Sequence, residues 1–421
     1  MKREFTLDPI PLLDHRLIQE LDNEGIKEIH AHTIWRLLVQ QQKKMQDFPL
    51  PEKMKNFLLK KFSETTSKVV KRTDARDGST TKLLIELQDG RRIESCIMRY
   101  GMVQLEKYPK EELKDGFKSN KRATLCVSSQ VGCSMGCTFC ATGTMGLIGN
   151  LSSGEILEQL MHANKIEKIR NVVFMGMGEP LDNYDQVLLA IKGMVDTRRF
   201  GLSPSRITIS TVGVVPKIKA LARDCPQIGL ALSLHAPTQE KRLKIVPTSK
   251  AWNIKKIMEA TEEFIENQNK DISSNNRKRH VLVEYVLIQN VNDSEETAHE
   301  LGSLLTGKDF YLNVIPYNPT DVPFDYKSPS VKSTRRFVDI VKTYGIHTVQ
   351  RQELGQDISS ACGQLVIECE QKIQDLEDLG SKSNISQRMV KMKQKEVKSY
   401  RKEWILTFIV GLLAWMIIRK L

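Results

Sequence analysis

From residue 123 onward, short apolar runs alternate with longer amphipathic ones. TLCVSS, NVVFMG, RITIST, IGLALSL, HVLVEYVLI and YLNVIPY predict strands. GEILEQLMHANKI, YDQVLLAIKGMV, WNIKKIMEATEEFI and EETAHELGSLL space their apolar residues by three and four, and predict helices. Repeated β/α alternation implies parallel strands with right-handed crossovers. The expected fold class is α/β, a partial (β/α)6-type barrel over residues 123–370 with its chemistry at the C-terminal ends of the strands.

Residues 1–75 read as a helical accessory domain, because LDHRLIQELDNEG, HAHTIWRLLVQQQKKM and PEKMKNFLLKKF carry helical periodicity between Gly and Pro breaks. TKLLIELQDG and RRIESCIMRYG predict two strands joined at an Asp-Gly turn. Residues 76–122 are therefore expected to hold a small β-hairpin and then a charged, poorly patterned insertion over 98–121. Residues 371–403 read as a basic polar linker. The run 404–418 is uncharged and apolar for 15 residues, roughly 22 Å as a helix. Trp404 and Trp415 lie near its ends and Arg401, Lys402, Arg419 and Lys420 flank it, so a transmembrane tail anchor is expected.

Composition changes little here. Hydrophobic residues at 40% and charged residues at 27% describe an ordinary globular chain. The N-terminus MKREFTLDPIPLLDH has acidic residues and lacks an apolar core, so it is expected to be neither a secretory signal nor a transit peptide. Net charge is +12, but residues 371–421 hold 11 basic and 5 acidic residues, so half the excess sits in the tail. Charge alone therefore argues only weakly for a polyanion on the body.

Cysteine placement is more telling. Eight cysteines in a chain of 421 residues are too few and too uneven for a disulfide scaffold. Three of them, Cys133, Cys137 and Cys140, stand in CSMGCTFC. Structural zinc wants four ligands, usually as two pairs, and no second pair follows. A [4Fe–4S] cluster held by three cysteines leaves one iron open, and CxxxCxxC is the spacing of radical S-adenosylmethionine enzymes. Further motifs close the later strands. MGMGEP supplies Gly178 and Glu179, ISTVG supplies Ser210, LSLHAP supplies Ser233, Leu234 and His235, and IPYNP supplies Asn318. Together they place hydroxyl, carboxylate, amide and imidazole groups on one rim, as recognition of S-adenosylmethionine would need. Cys126 precedes the cluster motif by seven residues, and Cys362 sits in a Gly-bracketed polar loop. Cys96, Cys225 and Cys369 read as small hydrophobes.

Over roughly residues 15–370, CVSSQVGCSMGCTFCATG, GNLSSGEI, VVFMGMGEPLDN, ITISTVGVVP, ALSLHAP, EYVLIQNVND, VIPYNP and DISSACGQL closely resemble the RlmN-type radical-SAM adenosine methyltransferases. The resemblance implies methylation of C2 of adenosine in large-subunit ribosomal RNA and in certain tRNAs, with two S-adenosylmethionine molecules per turnover. One methylates Cys362; the second yields a radical that abstracts hydrogen from that methyl group, and the methylene then adds to C2. Cys126 attacks Cys362, and the resulting disulfide releases the methylated base. The resemblance further implies Cys133, Cys137 and Cys140 as cluster ligands, and Gly178, Glu179, Ser210, Ser233, Leu234, His235 and Asn318 as cofactor contacts. Glu94 corresponds to the family's general base. An electron donor such as flavodoxin or ferredoxin is implied as well, and the body would face a reducing, cytoplasm-like compartment.

Three departures stand out: the 98–121 insertion after Glu94, Gly149 where the family commonly has Arg, and the tail beyond about 371. Two other readings stay open, adenine C8 methylation by the same architecture and a non-catalytic, membrane-tethered RNA-binding descendant.

Overall fold

The computed structural model describes residues 8–101, 122–270, 278–351 and 354–365. The N-terminal segment folds as α1 (Arg16–Asn23), α2 (Ile29–Trp35) and α3 (Glu52–Lys61). A π-turn at Arg36–Gln40 ends the second helix early, and a two-residue parallel bridge joins β1 (Ile10–Pro11) to β2 (Phe62–Ser63). The helical reading of residues 1–75 needs one correction, because β3 (Lys68–Asp74) lies within it. KVVKRTD is exposed along almost its whole length and carries a bulge, so no apolar face marks it as a strand.

The predicted hairpin forms as β4 (Thr80–Glu86) and β5 (Arg92–Tyr100). It is not a separate unit: β5 pairs antiparallel with β6 (Arg122–Cys126), the first barrel strand. Because β5 runs to Tyr100, the expected insertion starts later than residue 98. After β6 a short ribbon, β7 (Gln130–Gly132) with β8 (Leu147–Asn150), brackets α4 (Ala141–Thr144).

The β/α alternation follows as α5 (Ser153–Asn164), β9 (Ile169–Phe174), α6 (Tyr184–Val195), β10 (Ile207–Thr211), α7 (Val215–Asp224) and β11 (Gly229–Ser233). It continues through α8 (Gln239–Ile245), α9 (Ile254–Asn269), β12 (Val281–Leu287), α10 (Glu295–Leu305), β13 (Phe310–Pro316), α11 (Val331–Lys342) and β14 (Thr348–Gln350). The sheet order is β14-β13-β12-β11-β10-β9-β6-β5-β4-β3, parallel from β14 to β6 and antiparallel beyond. Parallel strands are covered on both faces, which is why their sequences read as near-continuous apolar runs. Helix starts are chemically marked. Ser152 and Glu155 form a capping box on α5, and Thr238, Asn253, Ser294 and Ser330 each cap the helix that follows.

Met1–Val366 form one compact unit. The N-terminal segment docks on α5 through β1 and its flanking loops: Gly154 of α5 sits so close to Pro11 that a side chain there would collide with it at 2.8 Å. Buried Glu158 of α5 accepts the backbone N–H of Thr66 and of Ser67, both at 2.8 Å. Trp35, fully buried, donates its indole N–H to the Leu12 carbonyl at 2.9 Å. The expected linker over 371–403 and the apolar run over 404–418 lie outside the described residues. Among the described residues no helix is long and apolar enough to cross a membrane.

Candidate active site

The three clustered cysteines lie on the loop between β7 and β8, at the C-terminal end of the sheet. Gly132 (φ +75°) opens that loop, and a Cβ there would fall 1.9 Å from the Gly146 carbonyl oxygen, so only glycine allows the ribbon to close. The loop is also stitched to the segment carrying Cys362. The Ala141 N–H donates to the Gly363 carbonyl at 2.8 Å, and the Thr142 hydroxyl donates to the Leu365 carbonyl at 2.5 Å. Residues 222 positions apart are thus held side by side.

Cys133, Cys137 and Cys140 line one cavity together with Gly178, Glu179, Ser210, Ser233 and His235. Among the described residues no three His, Cys, Asp or Glu side chains converge on a single metal ion. The donor set suits a larger group. The Met135 amide points at the Cys133 sulfur at 3.5 Å, and the amides of Thr142 and Gly143 donate toward the Cys140 sulfur. Burial pushes the Cys133 thiol up to about 12 and raises Cys137 and Cys140 as well. Such thiols keep their protons until a cationic centre displaces them, as iron does.

Around this cavity the strand ends present their polar groups. Gly178 has φ +99°, and a side chain there would meet Gln130 Cβ at 2.5 Å. Glu179 is buried and its carboxyl is pushed up to about 7 by that burial. It accepts the Leu181 N–H at 3.1 Å and the Val212 N–H at 3.0 Å, so it also ties the ends of β9 and β10 together. The hydroxyls of Ser210 and Ser233 are 3.1 Å apart. His235 has φ +61°, a strained conformation of the kind found at functional sites. Its Nδ1 accepts the Val286 N–H at 3.1 Å, which fixes the proton on Nε2, and burial lowers its pKa to about 3. The ring meets Phe139 edge-on at 4.8 Å.

A second cavity adjoins the first and is lined by Met98, Tyr100, Cys126, Asn318 and Ser360 among others. Cys362, Arg351, Met175 and Ile315 line both. Burial pushes the Cys126 thiol up to about 12. Burial raises Cys362 too, while the Arg351 guanidinium opposes that rise.

Three expected residues fall elsewhere. Leu234 is fully buried and lines neither cavity; its carbonyl accepts Arg242 Nε at 3.0 Å, so it serves as core. Asn318 lies beside Cys362, not among the clustered thiols. Its Nδ2 faces the Cys362 carbonyl at 3.5 Å and its Oδ1 accepts the Gln356 amide at 2.8 Å. Glu94 is buried on β5 and lines neither cavity, with Lys82 Nζ at 3.0 Å from its carboxylate.

Two residues were not anticipated. Glu284, buried on β12, lines the thiol cavity and accepts the Asn313 amide at 2.8 Å. A lone carboxylate inside the apolar run HVLVEYVLI was a usable signal. Arg351 follows β14, a three-residue strand without hydrophobic alternation, and nothing in its sequence neighbourhood marked it.

A seven-strand parallel sheet with three cysteines on the loop after its first strand defines a radical S-adenosylmethionine enzyme, and residues 127–301 match the family model of the radical SAM superfamily. A ribosomal RNA large subunit methyltransferase N from Nitrosopumilus maritimus is 40% identical over 330 residues, 77% of this chain and 88% of its own. A dual-specificity RNA methyltransferase RlmN 1 from Myxococcus xanthus is 42% identical over 294 residues, 69% of this chain and 74% of its own. The crystal structure of a radical SAM methyltransferase from Sphaerobacter thermophilus superposes with a TM-score of 0.73 at 34% identity, over 86% of this chain and 98% of that one. The chain belongs to the RlmN family of radical SAM methyltransferases, whose cofactors are a [4Fe–4S] cluster and S-adenosylmethionine.

Proposed function

We propose that the chain methylates C2 of adenosine in ribosomal RNA, tRNA or both, with Cys362 carrying the carbon and Cys126 releasing the product. The observation that carries this reading is that Cys362 lines both cavities, one with the three clustered thiols and one with Cys126. A group that must first meet a cofactor and then a second thiol needs that position.

Cys133, Cys137 and Cys140 would hold the cluster, and Gly178, Glu179, Ser210, Ser233 and His235 would hold S-adenosylmethionine. Bound there, the pair supplies both a methyl group and the radical that removes one of its hydrogens. The chain's own residues do the rest. Arg351 favours the Cys362 thiolate, which takes the methyl group. Joining the carbon to adenine C2 leaves one unpaired electron on the adduct; once that electron has returned to the electron supply that generated the radical and the C2 proton is removed, the Cys126 thiolate attacks the Cys362 sulfur. The S–S bond forms as the C–S bond breaks, and the carbon departs with the electron pair, takes a proton and becomes methyl. Two electrons and two protons restore the thiols, and a flavodoxin or ferredoxin would suit as reductant. Glu94 would serve as the base for the C2 proton only after leaving Lys82, and Asn318 would position the Cys362 loop.

Anaerobic reconstitution with S-adenosylmethionine, reductant and RNA transcripts tests this by nucleoside mass spectrometry. 2-Methyladenosine, absent with Cys362→Ala, is the expected product; 8-methyladenosine in its place would overturn the C2 assignment.

The sequence of 404–418 supports a membrane tether for the body. Alkaline extraction of membranes should release a chain ending at 403 and retain the full-length one; release of both would remove the tether.

A further inference from the structure

The loop that carries Cys362 rests on a strand outside the barrel. Three contacts join it to β4 and the turn that precedes β4. The Arg76 N–H donates to Asp357 Oδ2 at 3.0 Å, and a Cβ on Gly355 (φ +69°) would come within 2.9 Å of Thr80 Cβ. Lys82 makes the third contact, donating from its ammonium to the Ser359 carbonyl at 3.3 Å. Ser359 takes φ +50°, a left-handed conformation that is costly for a residue with a side chain, so a strained turn presents that carbonyl.

The same ammonium lies 3.0 Å from Glu94 Oε1. Strand register brings this about. Lys82 stands directly opposite Cys96, and Cys96 opposite Cys126, so the three form one row across β4, β5 and β6. Glu94, two residues before Cys96, is the diagonal neighbour of both Lys82 and Cys126, on the same face and about 7–8 Å from Cys126. Facing Glu94 among the described residues are Lys82 from β4 and the thiols of Cys96 and Cys126, which burial keeps protonated. Its backbone is held by uncharged groups, the Ser128 hydroxyl and the Met177 sulfur. The carboxylate is 6% exposed, and Lys82 is the cation that lets it keep its charge there.

We propose that Lys82 is the positioning residue for the general base: it stores Glu94 as a carboxylate beside the Cys362 loop and releases it to the adenine adduct. The inference rests on the C2-methylation reading above. A carboxylate that leaves its ammonium inside a dry site gains proton affinity, which removal of the C2 proton needs. The Ser359 carbonyl stays with the ammonium when Glu94 departs, so the cation is not left without a partner. Once the adduct has lost its unpaired electron, the C2–H bond breaks, its electron pair restores the aromatic ring, and Glu94 takes the proton.

The test follows one turnover of enzyme already carrying methyl on Cys362, so only folded, loaded protein is compared and the first half-reaction does not enter. RNA, S-adenosylmethionine and reductant are added, and the RNA–Cys362 adduct is followed on denaturing gels. In Lys82→Met the adduct should persist, decaying about tenfold or more slowly than in the parent at pH 7. The delay should shrink as pH rises, because a buried carboxyl without its ammonium ionises only at higher pH. Deuterium at adenine C2 should lengthen it. Lys82→Arg should decay near the parent rate, and Lys82→Met added to Glu94→Gln should cost no more than Glu94→Gln alone. If Lys82→Met does not load, Lys82→Gln, which keeps a donor for Ser359, takes its place. Parent-like decay in the Lys82 variant, or a delay indifferent to pH and deuterium, would overturn the inference and leave Lys82 as a brace for the loop; an adduct that persists in Glu94→Gln would then still uphold the base. Parent-like decay in Glu94→Gln would sink the base assignment, and a parent without 2-methyladenosine the functional reading, each taking this inference with it.

Discussion

Arg351 Nη1 lies 3.9 Å from Glu284 Oε2, on the wall where the two cavities of the site meet. The guanidinium is thereby flanked by a buried carboxyl and the Cys362 thiol. The nearby thiol is the main influence holding its pKa above the ordinary value, and Glu284 adds to it. A cation so placed favours the thiolate of Cys362, the form that accepts a methyl group.

Replacing Arg351 with Gln should therefore slow methylation of Cys362 by about tenfold or more at neutral pH. The defect should shrink as pH rises, because the thiolate then forms without help. Arg351→Lys should recover part of the rate. Mass spectrometry of the Cys362 peptide, after timed incubation with S-adenosylmethionine at several pH values, reads this directly. A defect that stays constant with pH would assign Arg351 to packing.

Cys126 faces Cys96 directly across the antiparallel pair of β5 and β6. Cys96 is fully buried and, unlike Cys126, lines neither cavity, so its thiol has no path to the Cys362 sulfur. Cys126→Ala should then leave RNA covalently attached to Cys362, visible as a slow band on a denaturing gel, and Cys96 should not rescue release. Free methylated product from the Cys126→Ala variant would show that another thiol can take over.

Gly132→Ala tests the cluster loop. The added methyl would occupy the space of the Gly146 carbonyl, 1.9 Å away, so β7 and β8 could no longer close over the loop that carries the three thiols. Iron content per chain after reconstitution should fall by more than half, with the cluster's visible absorption lost in proportion. Full iron loading would mean that the ribbon does not shape the cluster site.

Much of this arrangement was legible in the sequence, for identifiable reasons. Strands covered on both faces leave apolar runs, and α6 and α10 were readable to the residue because each faces solvent along one side. The three clustered thiols needed only their spacing. Legibility failed where the determinant was tertiary. β3 is a charged, exposed edge strand, and β14 is three residues long. Arg351 becomes a site residue only because β14 delivers it beneath Cys362. Asn318 belonged by its motif to the cofactor rim, yet its amide is spent on the Cys362 loop. Glu94 has the right residue type on the right strand but stands beside Lys82.

The contact between α5 and the segment before β3 should give stability an unusual dependence on pH. Burial pushes the Glu158 carboxyl up to about 7, while burial lowers His162 to about 4; both touch Ser67. For Glu158 the folded value lies above the unfolded one, so its stabilisation is full below about pH 4.5 and is lost as pH rises through about 7. For His162 the folded value lies below the unfolded one, so its stabilisation is present above about pH 6.5 and is lost as pH falls through about 4. Between these limits the two slopes oppose each other and largely cancel, each being worth at most about 3 kcal/mol. Glu158→Gln removes the first alone. Relative to the parent, its unfolding free energy should therefore gain from pH 5 to pH 7, whatever fixed cost the altered hydrogen bonds to Thr66 and Ser67 impose. Urea unfolding at a series of pH values measures the difference, and a gap independent of pH would mean that Glu158 is ionised throughout.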